Sequence, residues 1–342
     1  MLKEYAYPSA KVGGMKSYLL DPFELKAIME TGSFEDALSL LKNTAYGKEL
    51  AKLPSSAPKE IERVLVKSFL RDMDRLSKAL DGSRKAFLEE YSRRFEVEAL
   101  KTVLILKITK TKVAHQWIPY GAMGEATVER LLQAETLEEL FELLKATEYY
   151  EALHGALSES KERSSPFPYL VALDRYYYGR VWEALKGLRG RDRAIAMGLV
   201  GPEIDLKNLT TVLRLRGGEE KAVWHCLLPC SYQLDEEALR LIFNIGRLGE
   251  IFAQLPALRY KELLVEGIKE YERSGSTALI EREFRMHLLA MNQRVFRGDR
   301  FHIGAILGYL NLKENEVRNI TAIVRGKEAR LPTPKIEALV VI

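Results

Sequence analysis

Three times along this chain a nine-residue phrase recurs in which an acid is followed by apolar residues one, four, seven and eight positions beyond it. The copies are Glu96-Val97-Glu98-Ala99-Leu100-Lys101-Thr102-Val103-Leu104, Asp205-Leu206-Lys207-Asn208-Leu209-Thr210-Thr211-Val212-Leu213 and Glu316-Val317-Arg318-Asn319-Ile320-Thr321-Ala322-Ile323-Val324. That spacing puts the apolar residues on one stripe of a helix of 3.6 residues per turn. The acid is expected at a helix N-terminus, where negative charge is favoured. The copies begin 109 and 111 residues apart, so the chain is constrained to build one helical unit three times.

A second word recurs between the phrases. Ser33-Phe34-Glu35-Asp36-Ala37-Leu38-Ser39-Leu40-Leu41-Lys42-Asn43-Thr44-Ala45-Tyr46 and Thr136-Leu137-Glu138-Glu139-Leu140-Phe141-Glu142-Leu143-Leu144-Lys145-Ala146-Thr147-Glu148-Tyr149 share Glu, Leu-Leu-Lys, Thr and Tyr at matching positions. An eroded third copy runs from Leu248 through Ile251, Phe252 and Leu255 to Tyr260. Before the first copy, Lys11 to Leu20 reads as a helix, and Asp21-Pro22 supplies an N-cap with proline at the first helical position of Phe23 to Glu30. Each pair of helices leads to a longer one, Ile61 to Leu80, Tyr169 to Leu188 and Thr277 to Val295. A turn follows: Asp81-Gly82-Ser83-Arg84, Gly190-Arg191-Asp192 or Gly298-Asp299-Arg300, then a short helix and the phrase helix. Linkers are short, Pro54 to Pro58 and Ser158 to Pro168 being the most loop-like.

Strand-type alternation is nearly absent, so the chain reads as all-α. The period exceeds the roughly 20 to 50 residues of common solenoids. We therefore expect three similar helical bundles, 1–110, 111–218 and 219–342, each with a small core, around a pseudo-threefold axis.

The chemistry the residues offer is sparse. A chain of 342 residues buries enough surface to fold without a metal or disulfide staple. Its 52 Lys and Arg against 48 Asp and Glu leave a charge of +4, weak support for a nucleic-acid partner, which asks for a concentrated basic face. Two cysteines indicate a reducing compartment. No run approaches the roughly 18 to 20 apolar residues that span a bilayer, and the expectation is a chain soluble by itself that can still join a membrane complex. His225-Cys226-Leu227-Leu228-Pro229-Cys230 imitates a metal cluster, but structural zinc needs four ligands, and His115, His154, His287 and His302 are scattered singly. No metal or cofactor is expected. Gly13-Gly14 and Gly217-Gly218 lack the phosphate-loop pattern, and the second pair reads as a helix end.

Asp72 and Asp74 read as a solvated helix face. With Arg71 they are the best that a helical enzyme would have, and turnover by the isolated chain would test it. Tyr176-Tyr177-Tyr178 beside Arg175 and Arg180 has the aromatic–cation mixture of a base-stacking site, yet a helix spreads the rings over different faces, as core and rim. Lys207, Arg214, Arg216, Arg318 and Arg325 lie off the apolar stripe of the phrase helices; they form either a solvated face or a surface for a partner.

The stretch Glu314-Asn315-Glu316-Val317-Arg318-Asn319-Ile320-Thr321-Ala322-Ile323-Val324-Arg325-Gly326-Lys327 resembles the C-terminal signature of the C subunits of archaeal and bacterial V/A-type rotary ATPases, relatives of the d subunit of the vacuolar ATPase. Ala10-Lys11-Val12 to Leu19-Leu20, Leu40-Leu41-Lys42-Asn43-Thr44-Ala45-Tyr46-Gly47 and Asp205-Leu206-Lys207-Asn208-Leu209 are similar to that family too. The resemblance implies a funnel of three helical units on the cytoplasmic face of the membrane, seated on the proteolipid rotor ring and gripping the foot of a coiled-coil central shaft. It would pass torque in a machine that moves ions, taken as protons, while ATP hydrolysis resides in other parts of the complex. Such a part is peripheral to the membrane and non-catalytic. The rival class, a helical-repeat scaffold for nucleic acid or protein, would use the basic surplus and show salt-dependent retention on DNA or RNA.

Overall fold

The computed structural model describes residues 2–53, 55, 57–111, 123–158, 165–254 and 260–342, and helix is the only regular structure among them. The order begins with α1 (Leu2–Lys16), α2 (Pro22–Glu30), α3 (Phe34–Lys42), α4 (Gly47–Leu50), α5 (Pro58–Ser77), α6 (Gly82–Ser92) and α7 (Arg94–Thr109). It continues through α8 (Glu125–Gln133), α9 (Leu137–Leu144), α10 (Tyr150–Gly155), α11 (Phe167–Gly187) and α12 (Gly190–Leu215). It ends with α13 (Glu220–Cys226), α14 (Glu236–Asn244), α15 (Ile251–Gln254), α16 (Lys261–Ser274), α17 (Ala278–Arg294), α18 (Ile303–Glu328) and α19 (Thr333–Glu337). Of the features expected from sequence, Pro54, Ser56, His115, 159–164 and 255–259 lie outside the described residues.

Local chemistry sets the boundaries. Asp21 accepts the Glu24 N–H while Glu24 reaches back to the Asp21 N–H, a capping box with Pro22 at the first turn. Ser33, Thr136 and Asp235 cap α3, α9 and α14 in the same way through their side-chain oxygens. The three Gly-Arg-Asp turns each need a glycine in the left-handed region, Gly82 at φ 56°, Gly190 at φ 51° and Gly298 at φ 89°. The first helix differs from expectation: it starts near residue 2, accommodates Pro8 and closes at Lys16 rather than running to Leu20. Turn bonds from Tyr18 and Leu19 end it, and the Leu20 N–H is spent on Glu316.

The phrase helices also differ from expectation. Only in the first copy is there a separate short helix, α6, before the phrase in α7. In α12 and α18 one continuous helix of 26 residues runs from the turn through the phrase. Glu96 alone stands in a first helical turn; Asp205 and Glu316 sit in helix interiors, so the helix dipole does not explain them.

The chain divides into two compact units, one of Met1–Gly82, Gly190–Leu199 and Arg282–Ile342, the other of Ser83–Arg189 and Val200–Glu281. In the first, α18 is the central helix and packs against α1, α2, α3, α5 and α19. Ile303, Ile306, Leu307, Ile320 and Ile323 are fully buried along it, each worth about 1.5 to 3 kcal/mol in removed apolar surface. Its glycines permit close approach: a Cβ on Gly308 would collide with Val295 and stand 2.9 Å from the Asn292 carbonyl oxygen of α17. The buried Asp192 joins three elements of this unit, accepting from the Tyr5 hydroxyl at 2.8 Å and the Ile303 N–H at 3.0 Å. In the second unit α11 packs on α7 and α10, and α8 covers α7. Leu100, Leu104, Leu173, Val181 and Leu185 form that core, and Tyr177 anchors its hydroxyl on the Tyr91 carbonyl at 3.1 Å.

Candidate functional site

The acids that open the three phrases are buried, at 4, 0 and 3 % exposure for Glu96, Asp205 and Glu316. A buried carboxylate needs donors, because an unpaired one costs several kcal/mol. In every copy one donor is the tyrosine that closes a Leu-Leu-Lys helical word or its eroded form. Tyr149 donates to Glu96, Tyr260 to Asp205 at 2.7 Å, and Tyr46 to Glu316 at 2.6 Å. The phrase of one copy thus holds the tyrosine of the next, and the third phrase holds the tyrosine of the first. All three tyrosines are buried. Burial, reinforced by the facing carboxylate, pushes the Tyr46 and Tyr149 hydroxyls well above their ordinary value, which keeps them protonated as donors.

The remaining donors come from the chain entering the next pair of helices. Leu20 N–H, just before the Asp21 cap, bonds Glu316. Tyr232 and Gln233 N–H groups, just before the Asp235 cap, bond Asp205 at 2.8 and 2.7 Å. A carboxylate in a helix interior therefore ties down both the start of a neighbouring α2- or α14-type helix and the tyrosine beyond it. Charge balance differs between copies. Lys313 lies 2.9 Å from Glu316 and 4.2 Å above the Tyr46 ring, and Arg93 lies 3.9 Å from Glu96. Asp205 has Pro202 at the corresponding position, and burial pushes its carboxyl up from the ordinary 3.8 against the pull of its hydrogen bonds.

Such junctions tie the phrase helix of one copy to the tyrosine of another. Sequence reasoning finds the acids and the tyrosines as separate repeats and misses that they meet. Their matching recurrence at one polar position per copy was the available signal.

The five cations of the phrase helices are divided between the two units and each has a partner within the chain. In the second unit Lys207 lies 3.7 Å from Asp174, Arg214 holds Glu281 at 2.6 Å, and Arg216 holds the Phe243 carbonyl at 3.2 Å. In the first, Arg318 pairs with Glu314 at 2.5 Å, and Arg325 is bidentate to the buried Glu62. All five lie off the apolar stripe, with side chains of Lys207, Arg214, Arg318 and Arg325 between 41 and 68 % exposed.

The enzyme candidates do not converge. Arg71 pairs with Glu49 and Asp74 with Lys78, whereas Asp72 is not solvated as its neighbour is: it accepts the Tyr309 hydroxyl at 2.6 Å. Cys230 is buried with its thiol on the Tyr178 carbonyl, and burial pushes its pKa up to about 12. Cys226 is half-buried, and no group of three metal-ligating side chains occurs among the described residues. Tyr177 and Tyr178 are core residues, while Tyr176 reaches Glu148 at the rim.

Among the described residues no helix is long and apolar enough to cross a membrane. Residues 8–339 match the family model described as the ATP synthase (C/AC39) subunit. The chain is 27 % identical to the A-type ATP synthase C subunit of Methanocaldococcus jannaschii, over 99 % of this chain and 87 % of the relative. It is 26 % identical to the protein of that name in Pyrococcus furiosus, over 98 % of this chain and 90 % of the relative, and 28 % to that of Thermococcus kodakarensis, over 94 and 86 %. With a match that takes in all three phrases and their tyrosines, the chain belongs to the ATP synthase (C/AC39) subunit family, the non-catalytic C subunits of V/A-type rotary ATPases.

Proposed function

We propose that this chain is the coupling piece of the rotor, joining the foot of the coiled-coil central shaft to the membrane proteolipid ring and passing torque that drives proton movement. It works at the cytoplasmic face, peripheral to the bilayer. Three repeats, 1–110, 111–218 and 219–342, would surround the shaft foot, with Lys207, Arg214, Arg216, Arg318 and Arg325 as its charged contacts. The observation that carries this reading is the recurrence of one buried acid–tyrosine junction in all three copies. A part that transmits torque has to resist deformation at the seams between its repeats, and a buried charged hydrogen bond supplies about 1.5 to 3 kcal/mol at each seam. Charge on the exposed cations would set register and association rate more than affinity. The test is co-purification of the chain with the isolated shaft protein and, separately, with detergent-solubilised ring. Retention by both at low micromolar concentration is expected, and binding to neither removes the basis of the reading.

A further inference from the structure

A cleft of about 250 Å³ opens in the first unit between the end of α1, the start of α2, α17 and α18. Its walls are mostly hydrocarbon: Leu19, Leu20, Leu25, Leu289 and Leu312. Three polar groups in the wall are already engaged inward. Asp21 caps Glu24, Asn315 holds the Val341 carbonyl, and Glu316 is bonded by Tyr46, Lys313 and Leu20. Next in sequence to the lining residues Leu19 and Pro22 stand the two large apolar side chains most exposed among the described residues, Tyr18 at 68 % and Phe23 at 81 %.

One lining residue of the cleft is a lysine, and three arginines follow the lining residue Gln293 in the chain. Lys16 lines the cleft with its ammonium 5.0 Å from the Phe296 ring, and Arg300 Nε bonds the Phe296 carbonyl at 3.3 Å. Arg294 and Arg297 are exposed on the same turn, Arg294 next to the lining residue Gln293. Arg294, Arg297 and Arg300 form no ion pair among the described residues. Nearby acids are occupied: Asp299 pairs with Arg191 and Asp192 is buried under Tyr5 and Ile303. Phe301 is exposed beside Arg300.

We propose that this surface binds an anionic phospholipid of a bilayer, its phosphate among Lys16, Arg294, Arg297 and Arg300 and an acyl segment in the leucine-lined cleft. Cations there give the attraction for negative headgroups, and exposed aromatics next to the lining residues suit the bilayer interface. An apolar cavity of roughly 150 Å³ already takes up benzene, so this cleft has room for several methylenes. An acidic protein would use the charges, but it would leave the cleft and the neighbouring aromatics without a role. The inference goes beyond the shaft-and-ring reading and does not rest on it.

The test is co-sedimentation of the full chain with vesicles of phosphatidylcholine alone and with an equimolar mixture of phosphatidylglycerol and phosphatidylcholine. Retention on the mixed vesicles only is expected. The double variant Arg294→Glu/Arg297→Glu should lose at least about tenfold in retention, from the weight of two basic residues near a charged membrane. Tyr18→Ser/Phe23→Ser should lose severalfold with its charge intact; all four positions are exposed, and circular dichroism checks that both variants fold. Equal retention on both vesicles, no effect of the charge reversal, or full displacement by polyglutamate would each overturn the proposal, the last in favour of an acidic protein. Inorganic phosphate at the same ionic strength should not compete; competition by phosphate alone would also overturn it.

Discussion

At Glu316 a buried carboxylate faces a buried ammonium, with the Lys313 Nζ 2.9 Å away and both side chains no more than 5 % exposed. At Asp205 the same place in the repeat is held by neutral donors, backbone N–H groups of the incoming loop and the Tyr260 hydroxyl. The residue three positions earlier decides which solution is used: Lys313 in one helix, Pro202 in the other. Proline brings no cation, and the incoming loop compensates with further N–H groups. The comparison teaches that the repeat fixes an acid and a tyrosine, whereas the means of neutralising the acid drifts from copy to copy. It also predicts that the two junctions fail differently.

Glu316→Gln should have the largest effect, because it leaves Lys313 buried without a counter-charge. A buried pair broken from one side costs about 3 to 5 kcal/mol. Urea unfolding of the variant beside Asp205→Asn measures the contrast directly. Equal losses would mean that Lys313 escapes to water and that the two junctions are energetically alike.

Next come the apolar anchors of the same helices, where the regions should agree. Leu209 is 2 % exposed and Ile320 fully buried. Either change to Ala should cost on the order of 2 to 5 kcal/mol. A loss below about half a kcal/mol at both would refute their equivalence as core positions, given the usual cost of such cavities.

That agreement reflects what is legible in the sequence. The stripe of the phrases, the cap at Asp21 and the glycines of the three turns follow rules that act within four residues, and each appears in the structure. The same rules misplace the acids. Asp205 and Glu316 resemble helix starts locally, but continuous helices from Gly190 and Ile303 carry them into the interior. Their partners lie 55 and 270 residues away, and the Asp72–Tyr309 bond spans 237. Periodicity carries no information at such separations. The five surface cations are recognisable as off-stripe, but the intrachain acids and carbonyls that hold them are not.

Asp205→Asn should be milder than Glu316→Gln, about 1.5 to 3 kcal/mol for the loss of charged hydrogen bonds. Its dependence on pH has a definite sign. Burial raises the folded pKa of Asp205 above 3.8, so between those two values the native state binds the proton more tightly than the unfolded chain. Wild-type stability from this group therefore grows as pH falls through the raised value toward 3.8, and is absent above it. The Asn variant lacks that gain, and its deficit should widen on acidification. Unfolding curves for the pair at neutral and mildly acidic pH test this, and a deficit that narrows would assign the acid a lowered value.

The smallest effect is expected at Arg318, where the two units' cations can be told apart from their junctions. Its side chain is 68 % exposed, and its pair with Glu314 joins neighbours four residues apart on one helix. Helix pairs of that spacing contribute about 0.3 to 0.5 kcal/mol, and although Glu314 is only 11 % exposed the arginine end is open to water, so Arg318→Ala should lower the thermal midpoint only slightly. Lys207→Ala should behave likewise, since Asp174 keeps the closer Lys101 at 2.6 Å. A residue kept for stability would show its role in unfolding, whereas one kept for a partner shows it only in binding. If both variants remain stable and lose retention of the shaft protein, the cations are separated from the junctions in function. If Arg318→Ala unfolds the chain as Glu316→Gln does, the charge belongs to the core network around Glu316 and is no surface for a partner.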